Sequence, residues 1–257
     1  MIHQFQMQLT EGNSARLSSA YAYRLYAWLL EQLPPESAEF LHQQNAHYLS
    51  QSLVYDRETE QNLWTVNVFD DALSGEIRSV LAGTGSIALN GEENLGLVLA
   101  GEKTVEAQEL VLRDREEMNR FSEIRFLTPT AFKQGGRYAI YPQEKLVLQS
   151  LMQNWNAVFP EIPIQDEDAV QAMLQGIHIT DYSLHTTRYS FKGTRVPGFV
   201  GKISVQAKLA LPLMELWNAL LGLAPYSGIG IKTALGMGGV QVQQKPDSRD
   251  RAQAQNI

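Results

Sequence analysis

The chain has 257 residues, of which 44% are hydrophobic and 19% charged, a composition typical of a globular protein with one large or two small domains. It contains no cysteine, which excludes disulfides, zinc–thiolate sites and cysteine nucleophiles, and it has no apolar run of membrane-spanning length. The first residues lack the basic and apolar regions of a signal peptide, so we expect a cytoplasmic protein with no membrane partner.

The first half of the chain is predicted to follow the order β-α-β-β-α-β. Residues 2–9 alternate apolar side chains with glutamine, as a half-buried strand requires, and residues 17–29 have apolar side chains at helical spacing that end before Pro34. The remaining predicted elements are a short helix at 37–44, strands at 48–55 and 63–69, a helix at 73–81, and strands at 86–89, 95–99 and 105–112.

The second half repeats this order. The predicted elements are a strand at 124–126, a helix at 143–158, strands at 175–191 and 199–209, a helix at 213–223 and a strand at 237–242. Two such units predict an α+β protein made of two tandem ferredoxin-like (RRM-like) domains with antiparallel sheets. We place the domains at 1–118 and 119–242, with a linker near 115–121. Residues 243–257 have no apolar pattern and are predicted to be a disordered tail.

Charge is distributed unevenly between the two halves. The net charge of −7 argues against nucleic-acid binding, but residues 1–120 carry 8 Lys/Arg and 18 Asp/Glu, whereas residues 121–242 carry 10 and 8. No acidic residue stands between Asp181 and Glu215. Such a basic window is either a surface for nucleic acid or an ordinary solvated pair of strands.

A glycine-rich stretch, YSGIGIKTALGMGGV, occupies residues 226–240. It does not match a nucleotide-binding P-loop, because Ile231 precedes Lys232 where that motif has glycine, and no parallel βαβ unit supports a dinucleotide fingerprint. Two interpretations remain open. The glycines either form a turn with positive φ angles, or the stretch lies against a polynucleotide backbone, where Lys232 and Thr233 would suit phosphate contact.

Three segments together resemble the CRISPR-associated precursor-crRNA endoribonucleases of the RAMP superfamily: IRFLTPTAFK at 124–133, the Gly198 and Gly201 spacing within 188–201, and GIGIKTALGMG at 228–238. The last resembles the glycine-rich loop of that superfamily. The resemblance implies that the loop packs at the domain interface and touches the RNA backbone. The expected RNA-binding residues are Lys133, Arg188, Lys192, Arg195, Lys202, Gly228, Gly230, Lys232, Thr233 and Gly236.

The resemblance also implies an activity. Members of the family cleave CRISPR repeat RNA (precursor crRNA) without metal or cofactor, by attack of a ribose 2′-hydroxyl on the adjacent phosphate, which leaves 2′,3′-cyclic phosphate and 5′-hydroxyl ends. A CRISPR effector complex is a further expected partner. Two alternatives stay open at this point: a non-catalytic RNA-binding RAMP subunit of an effector complex, and a protein-binding ferredoxin-like module.

The candidate catalytic residues also come from the resemblance. In the family, the catalytic histidine commonly follows the first helical segment in a Tyr…Leu-His…Lys arrangement. His42 matches the acid/base position, Tyr26 matches the tyrosine, and His47 stands where a lysine is often found, so the chain departs from the pattern there. The alternative is that His42 is a surface or capping group and Tyr26 a core aromatic.

Overall fold

The computed structural model describes residues 1–10, 16–43, 48–89, 92–111 and 120–245. The first half of these residues has the predicted β-α-β-β-α-β order, with two added helices and one added strand. Its elements are β1 (Ile2–Thr10), α1 (Tyr21–Gln32), α2 (Pro35–Gln43), β2 (Leu49–Asp56), β3 (Gln61–Val68), α3 (Asp71–Gly83), β4 (Ser86–Leu89), β5 (Glu92–Val105) and α4 (Ala107–Val111).

The first sheet has the strand order β2-β3-β1-β5-β4, and every pairing in it is antiparallel. This is the ferredoxin-like order with β4 added at one edge. The alternation in β1 has the predicted consequence, because Phe5, Met7 and Leu9 are buried and pack with α1 and α3 side chains in one core. Asp70 begins α3 by accepting a hydrogen bond from the Leu73 amide at 2.8 Å.

One element of the first half was predicted wrongly. Residues 105–112 have the apolar spacing of a strand, but the strand that precedes them continues to Val105, and α4 follows it. The helix buries Leu110 against a helix of the second half, Leu211–Ser227. An apolar run of this length does not distinguish a strand from a short helix, so tertiary packing decides between them.

The second half has the same order, and its four main strands form a sheet of order β11-β6-β10-β9 with antiparallel pairings. This is again the ferredoxin-like arrangement, so the predicted fold class is confirmed. The elements are β6 (Phe121–Thr130), β7 (Phe132–Gln134), β8 (Arg137–Ala139), α5 (Glu144–Val158), α6 (Glu167–Gly176), β9 (Ile177–Phe191), β10 (Thr194–Ala207), α7 (Leu211–Ser227), a 3₁₀ turn (Thr233–Leu235) and β11 (Val240–Lys245).

The small hairpin formed by β7 and β8 was not predicted from the sequence. Its turn contains Gly135 and Gly136, both with positive φ, and it projects from the end of β6. Its strands have only three residues each, which is too short for a period of two to be recognised.

Each sheet covers its own apolar core, and each core includes side chains from the other half. Ile2, Val105 and Leu110 belong to the core of the second half, whereas Ala234 belongs to that of the first. The predicted boundary after residue 118 and residues 246–257 of the predicted tail lie outside the described residues, whereas residues 243–245 belong to β11 and are not disordered as predicted. In the part of the chain that is described, none of the helices has the length and apolar character needed to cross a membrane.

Candidate active site

A cleft of about 570 Å³ lies where the two halves of the chain meet. Helices α1 and α2 form one wall, and the turn between β9 and β10 together with the residues around the 3₁₀ turn forms the other. Its polar lining side chains are Tyr23, Tyr26, Glu31, His42, Lys192 and Lys232. The cleft therefore joins an imidazole and two phenols from the first half to two ammonium groups from the second.

Tyr26 and His42 occupy different environments in the cleft. Tyr26 lies on the buried side of α1 and is 8% exposed, and this burial raises the pKa of its hydroxyl above the ordinary value of 10.0. The hydroxyl therefore keeps its proton at neutral pH and can donate a hydrogen bond. His42 lies in the last turn of α2 and is exposed, so its ring can reach a bound molecule without displacing core side chains.

Aromatic rings hold both lysines at the cleft. The Lys232 ammonium lies 4.7 Å from the centroid of the Phe191 ring, and the Lys192 ammonium lies 5.9 Å from that of Tyr23. The Tyr23 and Phe191 rings also contact each other, with centroids 5.8 Å apart. The backbones of both lysines are left-handed, with a φ of 45° at Lys192 and 59° at Lys232. The Lys192 contact with Tyr23 crosses between the halves, whereas Lys232 contacts a ring of its own half that in turn meets Tyr23.

Polar contacts fix the glycine-rich stretch to both sheets. The Gln51 amide donates to the Ala234 carbonyl at 2.7 Å and itself accepts from the Trp64 indole at 2.6 Å. On the other side, the Tyr189 hydroxyl donates to the Leu235 carbonyl. Since Gln51 and Tyr189 are buried, these bonds form in a low-dielectric interior, where leaving either partner unpaired is costly.

The glycines of this stretch are required by contacts within the protein. Gly236 has a φ of 98°, and a Cβ there would lie 2.4 Å from the Ala22 Cβ of α1. A Cβ on Gly230, whose φ is 96°, would lie 2.5 Å from the Ala131 carbonyl oxygen. Both positions need a left-handed backbone and a close approach, and only glycine meets both conditions. The structure therefore favours the interpretation as a turn, packed at the interface of the two halves.

Comparisons with known proteins agree on one family. The family model described as CRISPR-associated endoribonuclease Cas6 matches residues 124–240. A CRISPR-associated endoribonuclease Cas6 of Streptococcus thermophilus is 30% identical over 227 residues, which cover 88% of this chain and 93% of that protein. The chain belongs to the Cas6 family. A Cas6 of Mycobacterium tuberculosis is 28% identical over 85% of this chain and 70% of that protein.

Solved Cas6 structures share the fold. A Cas6 product complex superposes with a TM-score of 0.76 at 22% identity, covering 95% of this chain and all of that one. A Thermus thermophilus Cas6 gives 0.73 at 22% identity, over 95% of this chain and 98% of that chain. These matches support the assignment of two tandem ferredoxin-like folds.

Of the residues proposed for catalysis in this Cas6, Tyr26 and His42 line the same cleft. Along the chain they are separated by the end of α1, a turn and most of α2, so the helix pair brings them together. His47 lies outside the described residues. The catalytic roles of all three remain predictions.

The residues expected to bind RNA fall into three groups. Lys192 and Lys232 line the cleft, whereas Lys133, Arg188 and Arg195 are exposed outside it. Lys202 also belongs to this second group outside the cleft, but it forms an ion pair of 3.1 Å with Glu123, a carboxylate that is only 4% exposed, so its charge is already offset. The third group contains Gly228, Gly230, Thr233 and Gly236.

This third group requires a correction. Gly228, Thr233 and Gly236 are buried, and the positions that Cβ atoms would take at Gly228, Gly230 and Gly236 are occupied by protein atoms. Contact between these glycines and an RNA backbone would need that same space. We therefore assign these residues to the packing of the interface and keep only Lys232 from the stretch as a predicted phosphate contact.

Several residues that shape the cleft were not predicted from the sequence. Tyr23 and Phe191 hold the lysines, Glu31 adds a carboxylate to the lining, and Gln51 fixes the 3₁₀ turn. Of these residues, only Gln51 could have been recognised from the sequence, because it interrupts the apolar pattern of β2 with a polar side chain. In the structure this side chain is buried.

Proposed function

We propose that the protein is an endoribonuclease that cleaves CRISPR repeat RNA in the cleft between its two halves and thereby releases guide RNAs. One observation carries this proposal: the cleft of a Cas6 family member places an accessible imidazole beside a protonated phenol and two ammonium groups. These are the groups that phosphodiester cleavage by an internal hydroxyl needs. Membership in an effector complex and location in the cytoplasm remain predictions.

The proposed reaction uses a nucleophile that is already part of the RNA. The ribose 2′-oxygen bonds to the adjacent phosphorus and loses its proton, while the bond from phosphorus to the 5′-oxygen breaks and that oxygen gains a proton. His42 carries out proton transfer at the reacting oxygens. Binding that aligns the 2′-oxygen with the leaving 5′-oxygen supplies a large part of the rate, so the reaction needs no metal as electrophile.

The remaining groups stabilise the charge that builds on the phosphorane. Lys192 and Lys232 supply positive charge from the second half, and the Tyr26 hydroxyl donates a hydrogen bond from the first. Because neither half contributes the whole set, the two halves must be docked for cleavage. The interface contacts of Gln51 and Tyr189 are thus needed for activity as well as for stability.

The proposal is tested by incubating purified protein with end-labelled CRISPR repeat RNA in EDTA. We expect one major cut, whose products carry 2′,3′-cyclic phosphate and 5′-hydroxyl ends. Cleavage that requires added Mg²⁺, or that leaves 5′-phosphate ends, would contradict the proposed chemistry.

The basic residues of the β9–β10 hairpin are predicted to bind RNA phosphates. We expect the triple substitution Arg188→Gln, Lys192→Gln and Arg195→Gln to weaken binding and to flatten the plot of log K against log salt. Each lost phosphate contact should reduce the magnitude of the slope by about 0.7 for a single strand, or about 2 in total. Filter binding between 50 and 300 mM salt measures this slope. An unchanged slope would place the RNA elsewhere.

Tyr26→Phe is expected to slow cleavage by about 10- to 100-fold, because it removes one donor to the phosphorane. Since burial raises the pKa of this hydroxyl above 10.0, it stays protonated from pH 6 to 9, and the ratio of wild-type to variant rates should be constant there. Because burial favours the neutral hydroxyl over the charged one, its contribution to the free energy of unfolding is fully present below pH 10. This contribution is lost as the pH rises through the folded-state pKa. Single-turnover rates across that range test the assignment; a ratio that falls toward one by pH 9 would contradict it.

A further inference from the structure

A pair of exposed tyrosines borders a second groove in the second half of the chain. Tyr141, which follows β8, and Tyr182, on the edge strand β9, are 47% and 57% exposed. Their rings meet nearly perpendicularly, with centroids 5.7 Å apart. They line a groove of about 470 Å³ together with Gln143, Glu144 and Asp181. We call this the aromatic groove.

The polar side chains of the aromatic groove differ in their hydrogen bonding and in their exposure. The Glu144 carboxylate accepts a hydrogen bond from the Ile179 amide at 3.0 Å, which ties the start of α5 to β9. Gln143 and Asp181 have exposed side chains beside the rings. An amide and a carboxylate next to exposed aromatic rings can bond the edge of a stacked base, and a carboxylate accepts only from bases that carry N–H donors.

The surface that leads to the groove is positively charged. No acidic residue stands between Glu123 and Glu144 in the sequence. Within that window the β7–β8 hairpin exposes Lys133, Arg137 and Tyr138, with Lys133 paired opposite Tyr138. Basic side chains interleaved with aromatic rings are typical of surfaces that bind single-stranded nucleic acid. The charge therefore favours RNA over a basic protein as the occupant.

The groove is separate from the cleavage site but lies along the same strand. Tyr182 precedes Phe191 by nine residues of β9, so it lies roughly 30 Å away at about 3.3 Å per residue. At about 3.4 Å per stacked nucleotide this distance corresponds to roughly nine nucleotides. A nucleotide in the groove would contribute to affinity without touching the reacting phosphate.

We propose that the aromatic groove binds one unpaired nucleobase of the RNA substrate, stacked on Tyr182 and Tyr141, with its edge toward Asp181. This inference rests on the proposed function, because it adds a subsite for the same RNA. The Asp181 carboxylate would accept a hydrogen bond from an amino or ring N–H group on the edge of that base.

The test measures binding and cleavage of repeat RNA by Tyr182→Ala. We expect its dissociation constant to rise about 5- to 150-fold, the range for loss of one stacked base, while the cleavage rate at saturating RNA is unchanged. A scan of single abasic sites should find one position, about nine nucleotides from the cut, that weakens wild-type binding equally and does not weaken the variant further. Asp181→Asn should alter which base is preferred at that position.

A matched control is Ile162→Ala, because Ile162 is 46% exposed and lies beyond the other end of α5. It should bind RNA as the wild type does. If the wild type binds and cleaves the repeat while Tyr182→Ala has the same affinity, or if no abasic position matches its loss, the groove is not an RNA subsite. If the wild type neither binds nor cleaves repeat RNA, the proposed function fails and this inference fails with it.

Discussion

His42→Ala is expected to slow cleavage of repeat RNA by about 100- to 10,000-fold, the range usual for loss of a general acid or base. RNA affinity should stay near that of the wild type, because the lysines that line the cleft remain in place. The side chain is exposed at the end of α2, so its removal leaves no cavity in the core and should not lower the melting temperature.

A suitable control for this substitution is His178→Ala, since His178 is also exposed but lies at the far end of β9 from the cleft. Single-turnover kinetics and filter binding on the same preparations separate the two effects. Wild-type rates for His42→Ala would remove it from the catalytic group and direct attention to His47. A large loss of binding with an unchanged rate at saturation would make it a binding residue.

Gly236→Val is expected to be among the most destabilising single changes in the glycine-rich stretch. Its Cβ would lie 2.4 Å from the Ala22 Cβ, and valine would have to adopt a φ of 98°. Overpacking costs about 1–3 kcal/mol and the left-handed backbone about 1–2 kcal/mol, so unfolding should become easier by about 2–5 kcal/mol. The clash lies between the halves, so the cleft should open and cleavage should be lost as well.

The variant Gly135→Val separates the backbone contribution to the loss of stability from the packing contribution. Gly135 also has a positive φ, of 54°, but no atom lies within 4 Å of its Cβ position. This substitution should therefore lower the free energy of unfolding only by the backbone contribution, about 1–2 kcal/mol. Denaturant unfolding of both variants measures the difference. Equal stabilities would contradict the packing account, and a fully stable Gly236→Val that had lost only RNA binding would restore RNA contact as the reason for that glycine.

Most of the fold could be predicted from sequence because its signals are local. The alternation of β1 and the helical spacing of α1 reflect which side chains each element buries, and two such units suffice to predict tandem ferredoxin-like folds. The failures occurred where packing against distant residues decides. The local sequence predicts a strand where α4 forms. The helix is decided by the packing of Leu110 against α7, which lies about a hundred residues further along the chain.

The candidate site could be predicted only in part. His42 and Tyr26 followed from a family resemblance, but nothing local indicates that Lys192 and Lys232 reach the same cleft. Their positions depend on Tyr23 and Phe191, which belong to different halves. The glycines left two interpretations open for a related reason: a requirement for close approach is visible in the sequence, whereas the identity of the approaching atoms is not.

The most direct test of the account replaces one ribose. Repeat RNA that carries a single 2′-deoxy nucleotide immediately 5′ of the cut phosphate should bind normally, because the phosphates and bases are unchanged. It should not be cleaved at that position in EDTA, since the nucleophile is missing. Cleavage of this substrate at the normal position would show that water or another nucleophile attacks the phosphate, and it would contradict the mechanism proposed for the cleft.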